Sequence, residues 1–304
     1  MRDVIIIGGG AAGLAAAVYA QEKQIDYLLV APALGGKAVP ATWGDGIGAT
    51  LAQLFAGRLA MAPQQLLADR ALDVTCVDGG FTVQTEGHGP QQALTVLVAT
   101  GVQAVQMPVF DGIAPLRYNL GYSAATHAQR MANKHVAVIG DTLRSLRGVH
   151  ELAAVARRVF FVVQSAAALA SPLGIAIQDH LNVELLDGYH VTGVEQAPGT
   201  VVVQIARGST VQQLVVDAVF ADLGLRPDSA LVRSLVQTDL NGFIPVDETG
   251  ATAQPGLFAA GDVTTAFAEQ VLVSAGQGAR AAQSAYHYVL AHPSLRALKG
   301  ANGD

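Results

Sequence analysis

Val4-Ile5-Ile6-Ile7-Gly8-Gly9-Gly10-Ala11-Ala12-Gly13 decides how this chain folds. Four successive apolar residues read as a short parallel strand buried on both faces. The glycines behind them are spaced Gly8-x-Gly10-x-x-Gly13, and Leu14–Lys23 then reads as a helix of mostly small residues. In such a strand–turn–helix the first glycine permits the tight turn and the second lets the backbone approach a pyrophosphate. The third allows helix and strand to pack closely. The helix N-terminus adds amide donors and a favourable dipole. Tyr27–Val30 completes the strand–helix–strand unit, which makes Gly8, Gly10, Ala11, Ala12 and Gly13 candidates to hold a dinucleotide. The acid that usually ends the second strand is absent, because Ala31-Pro32 stands there. Either the ribose is then held through the backbone and Gly35-Gly36, or its binding is weaker.

A second copy begins the same way at Val136-Ala137-Val138-Ile139-Gly140-Asp141-Thr142-Leu143-Arg144-Ser145 and then loses its glycines. A helix over Leu143–Ala156 and a strand over Val159–Val163 follow. Thr142 puts a β-branched side chain where a pyrophosphate must approach, and Ser145 replaces the third glycine more gently. The strand ends at Gln164-Ser165, with neither an acid for a 2′-hydroxyl nor arginines for a 2′-phosphate. Arg144 and Arg147 offer charge for another anion, or simply form a solvated helix face.

Strand-like runs at Leu72–Val77 and Phe81–Thr85 flank the turn Asp78-Gly79-Gly80, and Leu94–Val98 is another buried strand. Further runs at Val201–Ile205, Gln213–Val216 and Ala218–Leu223 precede a long helical pattern over Glu269–Leu290. The order predicts an α/β protein of two Rossmann-like, three-layer ββα domains. Residues 1–112 and 243–304 form the first, and 113–242 are inserted into it. A net charge of −6 with no long basic run argues against nucleic acid or an acidic membrane surface as partner. No run reaches the ~20 apolar residues of a membrane span, and the expected setting is the cytoplasm. Cys76 is the single cysteine of this chain, so an internal disulfide and any Cys-x-x-Cys centre are excluded within it. It reads as a buried thiol on a strand. No metal-binding cluster is apparent.

Several segments together resemble the thioredoxin-reductase-like, low-molecular-weight branch of the pyridine nucleotide–disulfide oxidoreductases. They are the N-terminal cradle, Gly35-Gly36, Val98-Ala99-Thr100-Gly101 with Pro108 beyond it, and Gly256-Leu257-Phe258-Ala259-Ala260-Gly261-Asp262-Val263. Gln270-Val271 through Ala275-Gly276, and Ser284-Ala285-Tyr286, complete the set. The resemblance implies FAD in the first domain. Asp262 would accept a hydrogen bond from a ribityl hydroxyl, with the Gly261 backbone near the phosphates and Ala99-Thr100-Gly101 along the cofactor. Gln270-Val271 would meet the pyrimidine edge of the isoalloxazine. Thr42, Val74 and Ser274 complete the implied cofactor-binding set. Lys37 departs from the glutamine common in this family; it reads either as a cation near the cofactor or as a surface lysine.

Members of that family usually carry Tyr-Cys-Ala-Thr-Cys-Asp before the second nucleotide strand. Here the same place reads Tyr122-Ser123-Ala124-Ala125-Thr126-His127. Hydroxyls have no disulfide state and cannot relay two electrons as a dithiol does. His127, on a helix expected over Ala125–Ala132, reads either as the candidate catalytic residue, with a side chain suited to proton transfer near neutral pH, or as an exposed or helix-capping histidine. The resemblance therefore implies an FAD-dependent oxidoreductase without the Cys pair, in which efficient NAD(P)H use is not expected. Electrons would pass between flavin and an external partner, such as ferredoxin or a small molecule, and the family implies a homodimer. A ferredoxin/flavodoxin–NAD(P)+ reductase-like enzyme and a non-catalytic flavin-binding sensor or scaffold are the alternatives.

Overall fold

The computed structural model describes residues 1–38, 47–60, 62–110, 120–121, 123–265 and 269–293. Its elements begin with β1 (Arg2–Ile7), α1 (Ala11–Glu22), β2 (Tyr27–Val30), α2 (Ile47–Leu59) and β3 (Leu66–Leu67). A meander of β4 (Ala71–Val77), β5 (Gly80–Thr85) and β6 (Gly89–Val98) follows, then β7 (Val102–Ala104) and β8 (Leu120–Gly121). Next come α3 (Ala124–His127), β9 (His135–Ile139), α4 (Leu143–Ala153), β10 (Arg158–Val163), α5 (Pro172–Gln178) and β11 (Val183–Asp187). A second meander, β12 (His190–Ala197), β13 (Thr200–Arg207) and β14 (Thr210–Val216), leads to β15 (Ala218–Ala221). The chain ends through β16 (Leu225–Pro227), β17 (Leu257–Ala259) and α6 (Val271–Ala291).

Two compact units divide these elements: Met1–Gln103 with Arg226–Asp304, and Ala104–Leu225. The crossings therefore precede the 112/113 and 242/243 positions expected from sequence, and packing explains both shifts. Leu231, Val232 and Val236 belong to the core of the first unit, beside Ile5 and Val74. Met107 and Val109 pack against the core of the second.

In the first unit the sheet runs β3-β2-β1-β6-β5-β4, with β17 also on β6. β6 is long enough to serve two purposes. Its N-terminal part pairs antiparallel with β5, while Val96–Val98 pair parallel with β17. Strand β1 lies centrally between β2 and β6, parallel to both. Val4 and Ile6 enter one core cluster with α1 and α6, whereas Ile5 and Ile7 enter the opposite one. That double burial is what an uninterrupted apolar run predicts.

The second unit repeats the plan with a parallel sheet in the order β11-β10-β9-β15-β8 and a separate antiparallel sheet β12-β13-β14. Ala137, Ile139 and Val162 of the parallel sheet share one core cluster with Val201, Val203 and Ile205 of β13. Among the described residues no helix is long and apolar enough to cross a membrane.

Candidate functional site

At the first cradle the local geometry follows from side-chain size. A Cβ on Gly8 would collide with the Ala99 carbonyl, and one on Gly13 with the carbonyl of Gly8. These glycines let β1, the start of α1 and the end of β6 meet. A Cβ on Gly10 would meet nothing within 4 Å, so the space above this turn is open. Gly10 is the N-cap of α1, makes no side-chain cap, and no acidic residue lies in the first turn. First-turn amides have no partner within a helix, and here no capping side chain satisfies them. The turn therefore offers open space, backbone donors and a positive dipole end together. These residues fit a dinucleotide pyrophosphate.

Two further segments close on this turn. Gly35 donates its amide to the Gly9 carbonyl at 2.7 Å. In the second segment, the Gly261 amide donates to Gln277 Oε1 at 2.9 Å. Asp262 receives Ser274 Oγ on Oδ1 at 2.8 Å and Lys37 Nζ on Oδ2 at 2.6 Å. Thr100 Oγ1 donates to the Asp228 carbonyl, and the Asp228 amide donates to the Gly101 carbonyl. The stretch after β6 is thus clamped from Asp228. Gln270 is the N-cap of α6, again without a side-chain cap, with Val271 behind it.

The structure accordingly brings together Gly8, Gly10, Ala11, Ala12, Gly13, Gly35, Gly36, Lys37, Ala99, Gly261, Asp262 and Ser274 around the start of α1. Val74 is not among them. It is fully buried in β4 within the core cluster of Phe81, Val83 and Leu231. Thr42 lies outside the described residues. Cys76 corrects an expectation: its thiol is exposed. β4 is the edge strand of its sheet, and the cluster that covers Val74 does not extend to Cys76. Gln277 was missed by sequence reading, although Gln270, Ser274 and Gln277 fall at i, i+4 and i+7 on one helix face, a spacing that could have revealed it.

The second cradle is built differently. Thr142 is the N-cap of α4, and its Oγ1 accepts the Ser145 amide while Ser145 Oγ accepts the Thr142 amide. This reciprocal capping box satisfies donors that α1 leaves uncapped. Behind the turn a Cβ on Gly140 would strike the Asp222 carbonyl. Arg144 forms an ion pair with the fully buried Asp222 carboxylate, which follows β15.

His127 lies in the second unit, its ring stacked on Phe220 at 6.2 Å between centroids and 15° between planes. Burial, with Arg130 nearby, holds its imidazole below the ordinary histidine range. The expected helix around it is split into α3 and a 3₁₀ turn over Ala128–Met131. Ser123 precedes α3, where it cannot substitute for a redox cysteine.

A family model described as "Pyridine nucleotide-disulphide oxidoreductase" matches residues 2–285. The chain is 28% identical over 310 residues to the F subunit of alkyl hydroperoxide reductase of Xanthomonas campestris pv. phaseoli, covering 95% of this chain and 57% of that protein. It is 27% identical to the Staphylococcus aureus protein of the same name, covering 95% of this chain and 59% of that one. The chain thus spans under three-fifths of the length of these curated relatives. Among solved structures, thioredoxin reductase from Streptococcus pyogenes superposes with a TM-score of 0.82 at 24% identity, over 96% of this chain and 99% of that one. Thioredoxin reductase from Giardia duodenalis does so with 0.82 at 19% identity, over 94% and 98%. These likenesses establish the two-domain Rossmann fold.

Proposed function

Because the chain belongs to the pyridine nucleotide-disulphide oxidoreductase family, we propose that it is an FAD-dependent oxidoreductase working without an internal dithiol and without a nicotinamide nucleotide in its second cradle. When bound, FAD supplies two-electron redox chemistry. The protein's part is to hold and orient it. Gly10 with the first-turn amides of α1 would receive the pyrophosphate, and Gly261-Asp262 would hold the ribityl chain. Gln270 and the uncapped start of α6 would present donors to the pyrimidine edge, where they favour negative charge on the reduced ring. With a single cysteine, this chain has no Cys pair to relay electrons, so they pass directly to or from an external partner.

The observation that carries the nicotinamide-independent part is the capping box at α4. A pyrophosphate arriving there would compete with Thr142 and Ser145 for amides already bonded, and Thr142 adds bulk at the approach. Arg144, tied to Asp222, is not placed as an independent anion ligand. The expected external partner is a protein such as ferredoxin, or a small molecule, and the expected assembly is a homodimer.

An anaerobic titration of the flavin-loaded protein with NADH, NADPH, reduced ferredoxin and dithionite tests this reading. Dithionite and the carrier protein should bleach the flavin, while the two nicotinamides should not. Rapid bleaching by stoichiometric NADPH would overturn it.

A further inference from the structure

We propose that Lys37 is an exchangeable counter-ion of the first cradle: it neutralises Asp262 when no diphosphate is present and pairs with the diphosphate of a bound dinucleotide. This rests on the FAD reading above and assigns a specific task to one side chain within it.

Two glycines aim the pair across the cradle. Gly36, at φ +53°, lies so close to Gly10 that a Cβ would come within 2.8 Å of the Gly10 Cα. Gly261, at φ +78°, lies against Ala12, where a Cβ would come within 2.9 Å of the Ala12 Cβ. Each precedes one member of the ion pair. Lys37 and Asp262 therefore each follow a glycine packed against the Gly10–Ala12 stretch, and they meet at 2.6 Å. Their bond links the two segments that pack against this stretch.

Charge explains why such a pair would exchange. Residues 8–19 carry no charged side chain, so only backbone donors and the helix dipole oppose a diphosphate there. The Asp262 carboxylate is 13% exposed and would repel that diphosphate if left unneutralised. Lys37 is 57% exposed, on a flexible stem that can swing, and a phosphate oxygen is an equivalent acceptor for its ammonium. Asp262 keeps Ser274 on Oδ1 throughout, so exchange would free only Oδ2 to accept a hydroxyl.

The test uses the full chain and two probes. FAD release from the flavin-loaded protein is followed by fluorescence at several salt concentrations. ADP, which has a diphosphate and no ribityl chain, is titrated calorimetrically into flavin-free protein whose folding is checked by melting. Lys37→Met should weaken FAD about tenfold and flatten its salt dependence, while Lys37→Arg should stay within about threefold of the parent. Asp262→Asn should bind ADP about threefold or more tighter, because the competitor for Lys37 is gone. The double variant should bind ADP more tightly than Lys37→Met alone, because the unneutralised carboxylate is gone, and less tightly than Asp262→Asn, because no ammonium faces the diphosphate. Unchanged FAD affinity in Lys37→Met, or unchanged ADP affinity in Asp262→Asn, overturns the proposal. If the parent fails to bind FAD while the ADP pattern holds, the FAD reading fails and the counter-ion stands.

Discussion

Thr142 and Ser145 cap one another: the side-chain oxygen of each accepts the backbone amide of the other, at 3.2 and 3.0 Å. The start of α4 thus satisfies itself, whereas α1 starts on Gly10 with no side-chain cap. Two turns that look like versions of one motif differ in whether their donors are available.

Removing this cap should reveal both of its effects. Thr142→Ala is expected to cost about 1 kcal/mol of stability, read from denaturant unfolding. Combining Thr142→Gly with Ser145→Ala should make NADPH binding measurable by calorimetry where the parent shows none. If the double variant still binds no NADPH, steric and capping competition are not what closes this cradle.

The Arg144–Asp222 pair makes a separate prediction. Arg144→Met leaves a fully buried carboxylate without that guanidinium and should destabilise the protein by about 3 kcal/mol. Replacing both, as Arg144→Met with Asp222→Leu, should recover much of the loss, since the cost lies in the stranded charge. Chemical denaturation of the two variants would show equal losses for single and double changes if the pair contributes nothing.

Protonation of His127 should weaken the fold. Burial against Phe220 and the charge of Arg130 hold its imidazole below its ordinary value of 6.5, so the unfolded chain takes up the proton first on acidification. This residue therefore costs nothing above about pH 6.5 and destabilises progressively as pH falls below it. Melting temperatures between pH 7 and pH 5 should fall less steeply in His127→Phe, which keeps the ring stack. An identical slope in variant and parent would show that His127 does not titrate in this way.

Gln277→Leu should reduce FAD affinity about tenfold by leaving the Gly261 amide without its acceptor. Fluorescence titration measures this directly. Gln277→Glu, which keeps an oxygen in place, should lose much less.

The fold was legible because its signals are local. An apolar run of strand length, three spaced glycines and a helix of small residues lie within residues 4–23, and neither cradle requires a distant residue to be recognised. What escaped depends on approach between segments far apart in sequence. Lys37 and Asp262 are 225 positions apart, and Arg144 and Asp222 are 78 apart. Residue type offered both, but only packing selects the partner. The Thr142–Ser145 cap was within reach of sequence reading, since its spacing is that of a capping box. The same two positions that lose glycines gain hydroxyls, and the gain carries as much information as the loss. Cys76 escaped for another reason. Alternation along β4 places it on the side of Val74, but burial there depends on how far Leu231 and Val232 reach.

The discontinuity of the first unit also bears on the order in which the chain matures during synthesis. Val4, Ile6 and the small residues of α1 share their core cluster with Ala281, Ala282 and Ala285 of α6. Those partners leave the ribosome only after the whole inserted unit has done so. That unit, by contrast, draws its internal contacts from Ala104–Leu225 and can mature as soon as that stretch has emerged. The strand β1 and helix α1 must meanwhile wait with an uncovered apolar face, a period in which a chaperone has most to bind.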